Sequence, residues 1–419
     1  MVSFSPILLT GQTDRVLKSG RLGLLCNQAA WRPERGEYLF ETLYRERNLV
    51  RLFLPEHGLF GELQDQVALD DPPSGASLGL ENCELFSLYG SSESSLAPPA
   101  AKLLDLDALV IELQDVGARY YTFLATIYYI FALLARDHIP LPVWLVDREN
   151  PAGRHVEGTP LKPGFASFIG LEGIPNRYGL TIGELSALFH DELNAEFPLH
   201  IIAYNAGAEN SASNAGTLAP WIINPSPNIS GPNTALLYPG QCLWEGTNVS
   251  EGRGTTRPFE VFGAPWMESL PAFNRSSGGA SGFSLWNDKS ISLFDPGAFL
   301  RWHRFIPVFH KYAGECCFGF QIIPRPSRPY HALGHALRII RFIAEQCQDF
   351  AFRPGSYEAG SERPAIELLA GDPLLLDYLY GKSDWGQTKD YMRGEEEAWV
   401  RRIQKYLFYG PASKPSIVL

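Results

Sequence analysis

The apolar positions of this chain fall into short continuous runs, separated by longer segments with helical spacing. Arg21 to Asn27 (RLGLLCN) is an apolar run closed by polar residues and predicts a buried strand. Glu34 to Arg47 spaces Tyr38, Leu39, Leu43 and Tyr44 as one helix face. Leu49 to Leu54 predicts a second strand that runs directly into Pro55-Glu56-His57-Gly58. Ala108 to Leu113 predicts a third, leading into Gln114-Asp115-Val116-Gly117-Ala118-Arg119-Tyr120-Tyr121. Phe123 to Arg136 is a strongly apolar helix, and Pro142 to Val146 a fourth strand ending at Asp147-Arg148-Glu149-Asn150. Thr181 to Asn194 reads as a helix opened by a capping box, Thr181 with Glu184 three residues on. His200 to Tyr204 predicts a fifth strand.

Strand alternates with helix, and the strands are apolar throughout rather than at every second position. That combination predicts an α/β fold with a mostly parallel sheet covered on both faces. In such sheets a ligand crevice lies at the carboxyl ends of the strands. Three of these strands end in polar clusters: Glu56/His57, Gln114/Asp115/Arg119 and Asp147/Arg148/Asn150.

Asn205 to Leu218 reads as a surface loop, and Trp221 to Pro232 as a proline-punctuated extended segment. Ser276 to Gly282 (SSGGASG) predicts a connection, and the domain change is placed there: 1–270 as the sheet domain, 271–419 as a smaller α+β domain closing a cleft. In the second part, 291–294 and 318–323 read as strands, and 335–346, 365–369 and 395–408 as helices.

The polar stretch Trp244 to Thr256 (WEGTNVSEGRGTT) stands apart from this alternation. It sets Glu245 and Glu251 close to Arg253 with three glycines between and around them. Burying such a run unpaired would cost about 1–3 kcal/mol per polar group, and its glycines and threonines disfavour helix. It reads either as a solvated turn or as a polar pocket wall for a hydroxyl-rich ligand, with Asn248 among its donors.

Composition narrows the chemistry. The 419 residues carry 45% hydrophobic and 19% charged positions, enough for a large core. A net charge of -11 argues against nucleic acid and other phosphate-rich partners. The 18 tyrosines and 9 tryptophans suit stacking on sugar or base rings, although most aromatics simply fill cores. Six scattered cysteines with no C-x-x-C predict a reduced compartment. No run of about 18 apolar residues predicts a membrane span, and no signal-like start is visible. The chain as it stands reads as cytoplasmic; a removed signal peptide would make it periplasmic or secreted.

Motifs for nicotinamide or flavin binding, P-loop hydrolysis, H-E-x-x-H zinc and the G-x-S-x-G elbow do not occur, so neither cofactor nor metal is expected. Acid/base work by carboxylates remains. Glu56 at a strand end can be a general acid or a nucleophile tuned by burial, or a helix-capping residue. His57 reads more weakly, as a hydrogen-bonded structural residue or a binding one. Gln114, Asp115, Arg119, Tyr120 and Tyr121, and likewise Asp147, Arg148 and Asn150, are binding candidates or structural pairs. Two carboxylates about 5–10 Å apart hydrolyse glycosides, and Glu56 with Glu245 or Glu251 can supply them.

At these residues the chain resembles the YbbC/NamZ-type exo-β-N-acetylmuramidase family. The matching segments are LPEHGLFG (54–61), QDVGARYYTF (114–123), VDRENPAGRHVEG (146–158), GLTIGEL (179–185), PSPN (225–228), YPG (238–240) and EGTNVSEGRGTTRPFEVFGAPW (245–266). The last third matches more loosely, chiefly in HKYAGECCFGFQI (310–322). The resemblance implies a Rossmann-like first domain without a dinucleotide, a smaller second domain, and a site in the cleft between them. It carries a catalytic glutamate onto Glu56 and a second acid onto Glu245 or Glu251. It implies release of terminal N-acetylmuramic acid from the non-reducing end of peptidoglycan fragments. The lactyl carboxylate of that sugar needs a cation, with Arg119, Arg148 and Arg253 as candidates by charge. Asn228, in the PSPN segment, joins the binding set. After LPEHGLFG the chain departs from the family's pattern: Glu62-Leu63-Gln64-Asp65-Gln66-Val67 stands where an Ala-Gly-containing turn is expected.

The resulting expectation is a glycoside hydrolase that acts on muropeptide or MurNAc-GlcNAc fragments. Two rivals remain: a non-catalytic muropeptide-binding protein, and an acyl or amide hydrolase of the same fragments.

Overall fold

The computed structural model describes residues 2–5, 20–33, 35–65, 67–69, 72–90, 93–167, 169–203, 223–269, 295–326, 328–355, 362–409 and 415–418. The loop expected over 205–218, the connection 276–282 and the strand 291–294 lie outside the described residues.

Seven strands build the central sheet: β1 (Val2–Ser5), β2 (Arg21–Cys26), β3 (Asn48–Leu54), β4 (Glu84–Ser87), β5 (Ala108–Glu112), β6 (Val143–Val146) and β7 (Leu199–Ile202). Their order is β1-β7-β6-β5-β2-β3-β4, and each neighbouring pair is parallel. The continuous apolar runs have a direct cause. In β5, Ala108 and Val110 pack with Leu22, Leu24, Leu52 and helix α1 (Leu39–Glu46) on one face. Leu109 and Ile111 join the larger core with helices α2 (Phe123–Arg136) and α3 (Ile182–Glu192) on the other. A strand covered on both faces has no solvent side, so no alternation appears. The expected α/β, mostly parallel, Rossmann-like sheet is therefore the observed one.

Boundaries differ where local chemistry overrides periodicity. The helix expected from Glu34 starts at Leu39, because Trp31–Arg32 pairs with Glu37–Tyr38 as a small ribbon. Thr181 and Glu184 form the expected capping box of α3. The extended segment expected up to Pro232 ends in helix α4 (Pro232–Gln241), whose first residue is that proline, a position that needs no amide proton. The edge strands β1 and β4 escaped the periodicity.

A second, antiparallel sheet follows: β8 (Val261–Ala264), β9 (Ala298–Phe305) and β10 (Cys317–Pro324), in the order β8-β10-β9. Helices α5 (Ala332–Gln346), α6 (Ala365–Ala370), α7 (Pro373–Leu379) and α8 (Trp385–Ile403) complete this part. The last helix begins ten residues ahead of the expected 395 because Asp384 caps it, accepting from the Gln387 amide. β8 lies in this sheet, so the second unit draws on residues ahead of the boundary placed at 270/271. The sequence cue for that boundary was a Ser/Gly run, which marks a loop and says nothing of which sheet the preceding strand joins.

A fully buried ionic network ties the two parts together. Arg177 pairs with Glu157, whose other oxygen accepts the Leu333 amide at 2.9 Å at the start of α5. His331 Nε2 contacts Glu396 Oε1 of α8 at 2.9 Å, and that oxygen also accepts the Gly158 amide at 2.8 Å. All four side chains are at most 4% exposed. Removing one charge from such a set leaves its partner buried and uncompensated. Arg177→Met is expected to lower unfolding free energy by about 3–5 kcal/mol in urea titration, and a loss under about 1 kcal/mol would contradict the network's role.

Candidate active site

Glu56 sits where β3 leaves the sheet and is 6% exposed. Its Oε2 accepts from Thr122 Oγ1 at 2.6 Å, and Thr122 is the residue ahead of α2 on the connection from β5. The loops that follow β3 and β5, which flank β2 in the sheet, therefore meet at one carboxylate. His57 follows with φ of +72°, a left-handed backbone that costs a non-glycine residue about 1–2 kcal/mol. The turn reverses the chain immediately after Glu56. His57 Nδ1 contacts the Leu63 carbonyl at 2.9 Å, which closes the loop that carries Gln64 and Asp65.

The polar stretch after α4 is buried, against the solvated-turn reading. A 3-10 turn, Cys242–Gly246, delivers Glu245, and Gly252 and Gly254 then bend the chain with φ of +84° and +77°. A Cβ at Gly254 would stand 2.7 Å from the Phe309 carbonyl oxygen, so only glycine fits there. The bend folds Arg253 back onto Glu245. Arg253 Nε and Nη2 donate to Glu245 Oε1 at 2.9 and 2.6 Å, and Nη1 reaches Asp65 Oδ1 at 3.0 Å. Its guanidinium also lies 5.0 Å from the Phe259 ring centre. Glu251 accepts from Lys311 Nζ at 2.9 Å through one oxygen and contacts His310 Nδ1 at 3.0 Å through the other. Lys311 Nζ is fixed further by the Trp244 and Val249 carbonyls at 2.8 and 2.9 Å.

Burial pushes the Glu251 carboxyl up, but Lys311, His310 and Arg253 together overcome it and hold the group well below the usual carboxylate range. Asp65 behaves in the opposite way: burial raises it, and Arg253 only partly offsets that, with Glu245 and Glu56 adding to the rise. Asp65 thus feels both Glu56 from the sheet and the Glu245–Arg253 pair from the polar stretch. Asn228 Nδ2 donates to Gln64 Oε1 at 2.7 Å on the same loop. Tyr121, whose ring centre is 6.5 Å from that of His57, packs edge-on against Tyr238 at 6.3 Å and lies within electrostatic reach of Glu56.

The remaining expected residues lie elsewhere or carry structural bonds. Arg119, 1% exposed, donates to the Thr159, Ile174, Leu369 and Ala370 carbonyls and so stitches α6 to the sheet part. Tyr120 Oη donates to the Pro239 carbonyl at 3.1 Å and accepts from Asn176. Asp147 caps α3 through Thr181 Oγ1 and the Gly183 amide, both at 2.7 Å, and burial pushes it up to about 6. Asn150 accepts the Ala152 amide and donates to the Leu180 carbonyl. Asn248 bridges to Asp349 and Ala351. Arg148 spans Glu112 and Gln114 at the end of β5. Asp115 accepts the Gly117 amide and the Tyr178 hydroxyl, and burial pushes it up to about 6. These arrangements correct the use of Arg119 and Asp147 as ligand groups: both terminal nitrogens of Arg119 and both oxygens of Asp147 are bonded within the fold, and the one unpartnered donor of Arg119, Nε, is buried. Thr122, Gln64, Asp65, His310 and Lys311 escaped sequence reading. His310 and Lys311 open the loosely matching segment, and Asp65 falls where the chain departs from the family's pattern. Among the described residues, no group of three or more His, Cys, Asp and Glu side chains is arranged to hold a metal ion.

Fold and site together define an α/β protein with a strand-end glutamate beside a buried carboxylate–arginine network. Comparison with known proteins gives this class its family. The N-terminal model of the exo-β-N-acetylmuramidase NamZ family matches residues 22–233, and its C-terminal model matches residues 236–409. The chain belongs to this family, and with it to the glycoside hydrolases. It is 34% identical over 350 residues to the peptidoglycan β-N-acetylmuramidase NamZ of Bacillus subtilis (strain 168), covering 82% of this chain and 78% of that protein. Two crystal structures of DUF1343 family proteins from Bacteroides fragilis NCTC 9343 share the fold. Their TM-scores are 0.71 and 0.64 at 22% and 23% identity, each over 94% of this chain and over 96% and 95% of theirs.

The Glu251 cluster makes a pH-dependent prediction. A carboxyl whose folded pKa is depressed adds stability above its unfolded value, near 4.3, and loses it as pH falls toward the folded value. Lys311→Met removes its main counter-charge. The variant is expected to lose about 2–4 kcal/mol at pH 7, with the gap to wild type narrowing as pH is lowered to about 3. A gap that stays constant with pH would show that Lys311 acts through its carbonyl bonds alone.

Proposed function

We propose that this protein is an exo-acting hydrolase that releases terminal β-linked N-acetylmuramic acid from the non-reducing end of peptidoglycan fragments. The observation that carries the reading is Glu56, held at a strand end by Thr122 and facing the loop whose Asp65 pairs with Arg253. The printed function of the Bacillus subtilis relative supports the substrate class.

In this reading Glu56 gives its proton to the glycosidic oxygen as the bond from C1 to that oxygen breaks. Water adds to C1 and loses its proton to a second carboxylate, so the sum is addition of one water across the bond. Glu245 takes the second role. Glu251 is wholly enclosed by Lys311, His310 and Arg253, and serves to keep Arg253 and Glu245 in place. Asn228, which donates to Gln64, and Tyr121, beside His57, are the groups this reading sets against the sugar.

The test is chromophore release from para-nitrophenyl β-N-acetylmuramide, with the N-acetylglucosaminide as control. Wild type is expected to turn over the muramide, and Glu56→Gln to lose about 10²–10⁴-fold in kcat with its fold intact. A Glu56→Gln variant with near-wild-type rate would remove Glu56 from the chemistry. A folded wild type that binds the muramide without turnover would make the chain a binding protein.

A further inference from the structure

The reading above gives the substrate a lactyl carboxylate, which needs a cation at the site. Arg119 is committed to four backbone carbonyls and Arg148 to Glu112 and Gln114. Arg253 is the expected arginine that stands in the carboxylate cluster. Its Nε and Nη2 are turned inward onto Glu245, which leaves Nη1 as the edge directed to the Glu56 loop. That edge is held by Asp65 at 3.0 Å.

The three acids around Arg253 differ in one respect. The side chains of Glu245 and Glu251 are 5% and 0% exposed, whereas that of Asp65 is 25% exposed. Asp65 is therefore the most exposed of the three. The charge balance points the same way. Asp65, Glu245 and Glu251 face the fixed cations Arg253 and Lys311, three carboxylates against two fixed positive charges. An anionic sugar approaching Nη1 meets a carboxylate already bonded there and a cluster with no spare positive charge. Two carboxylates cannot share one guanidinium edge in bidentate geometry.

We propose that Asp65 is a specificity-determining residue: an internal competitor for the edge of Arg253 on which the carboxylate of an acidic amino sugar sits. It sets how far the site prefers N-acetylmuramic acid over a neutral amino sugar of the same ring. The proposal rests on the muramidase reading. To bind, the sugar's carboxylate displaces Asp65 into solvent and takes over its bond to Nη1. Competition weakens when Asp65 takes up a proton, so wild-type affinity for the acidic sugar rises as pH falls. Burial of Asp65 moves that rise upward from the ordinary carboxylate value.

Calorimetry on the full chain tests this with N-acetylmuramic acid and N-acetylglucosamine as the two probes, against wild type, Asp65→Asn and Asp65→Ala. Both variants are expected to bind N-acetylmuramic acid several-fold more tightly than wild type at pH 7.5, with N-acetylglucosamine unchanged and the advantage shrinking as pH is lowered. Agreement between Asn and Ala separates loss of charge from any new bond made by the amide. A weaker or unchanged affinity for the acidic sugar in both variants, or an equal shift for both sugars, overturns the role of Asp65 while leaving the muramidase reading intact. Absence of binding to either sugar by all three folded proteins overturns the muramidase reading, and this proposal with it.

Discussion

Arg253 cannot be buried alone. Taking a guanidinium out of water costs several kcal/mol, and only close carboxylates with good geometry return it. Glu245 and Asp65 provide those contacts, and Glu251 adds its charge at 3.8 Å. Glu251 in turn needs Lys311 and His310. The members come from residue 65, from 245–253 and from 310–311, so the network exists only when three separate parts of the chain are in register. The positions of Asp65, Glu245 and Glu251 follow from satisfying this one buried cation.

The parallel sheet supplies the other half. Every pairing in it is parallel, so β3, β5 and β6 all release their chains at one edge. Glu56 occupies the end of β3, and Thr122, which holds it, comes from the loop after β5. The clusters ending β5 and β6 do less chemistry than their position suggests. Asp147 and Asn150 cap and brace the segment leading into α3, and Arg148 neutralises Glu112. Position at the productive edge of a sheet makes a polar residue a candidate, and its bonds decide whether it is free to act.

Much of the fold was legible because burial leaves a direct trace in sequence. Strands covered on both faces must be apolar at every position, and β5 reads so from Ala108 to Ile111. The helix Phe123–Arg136 was legible to its ends for the same reason. Edge strands carry a weaker trace, which hid Glu84–Ser87, and a helix opened by Pro232 looks like a turn. At the site, Glu56, Glu245, Glu251 and Arg253 were legible as polar residues in places a core would not tolerate. Asp65, His310 and Lys311 were not, since a charged residue in a loop is unremarkable until another segment folds onto it. Arg119 misled in the opposite direction: its charge suggested a ligand, while four backbone carbonyls from distant segments take up both its terminal nitrogens.

The central claim is that this carboxylate site cleaves a glycosidic bond. Product analysis of MurNAc-GlcNAc disaccharide by proton NMR tests it most directly, because the anomeric signals distinguish each sugar. The account predicts free N-acetylmuramic acid and free N-acetylglucosamine in equal amounts, with the lactyl ether and the acetamido groups unchanged. Recovery of intact disaccharide from a protein that binds it, or loss of an acyl group with the glycosidic bond preserved, would contradict the account.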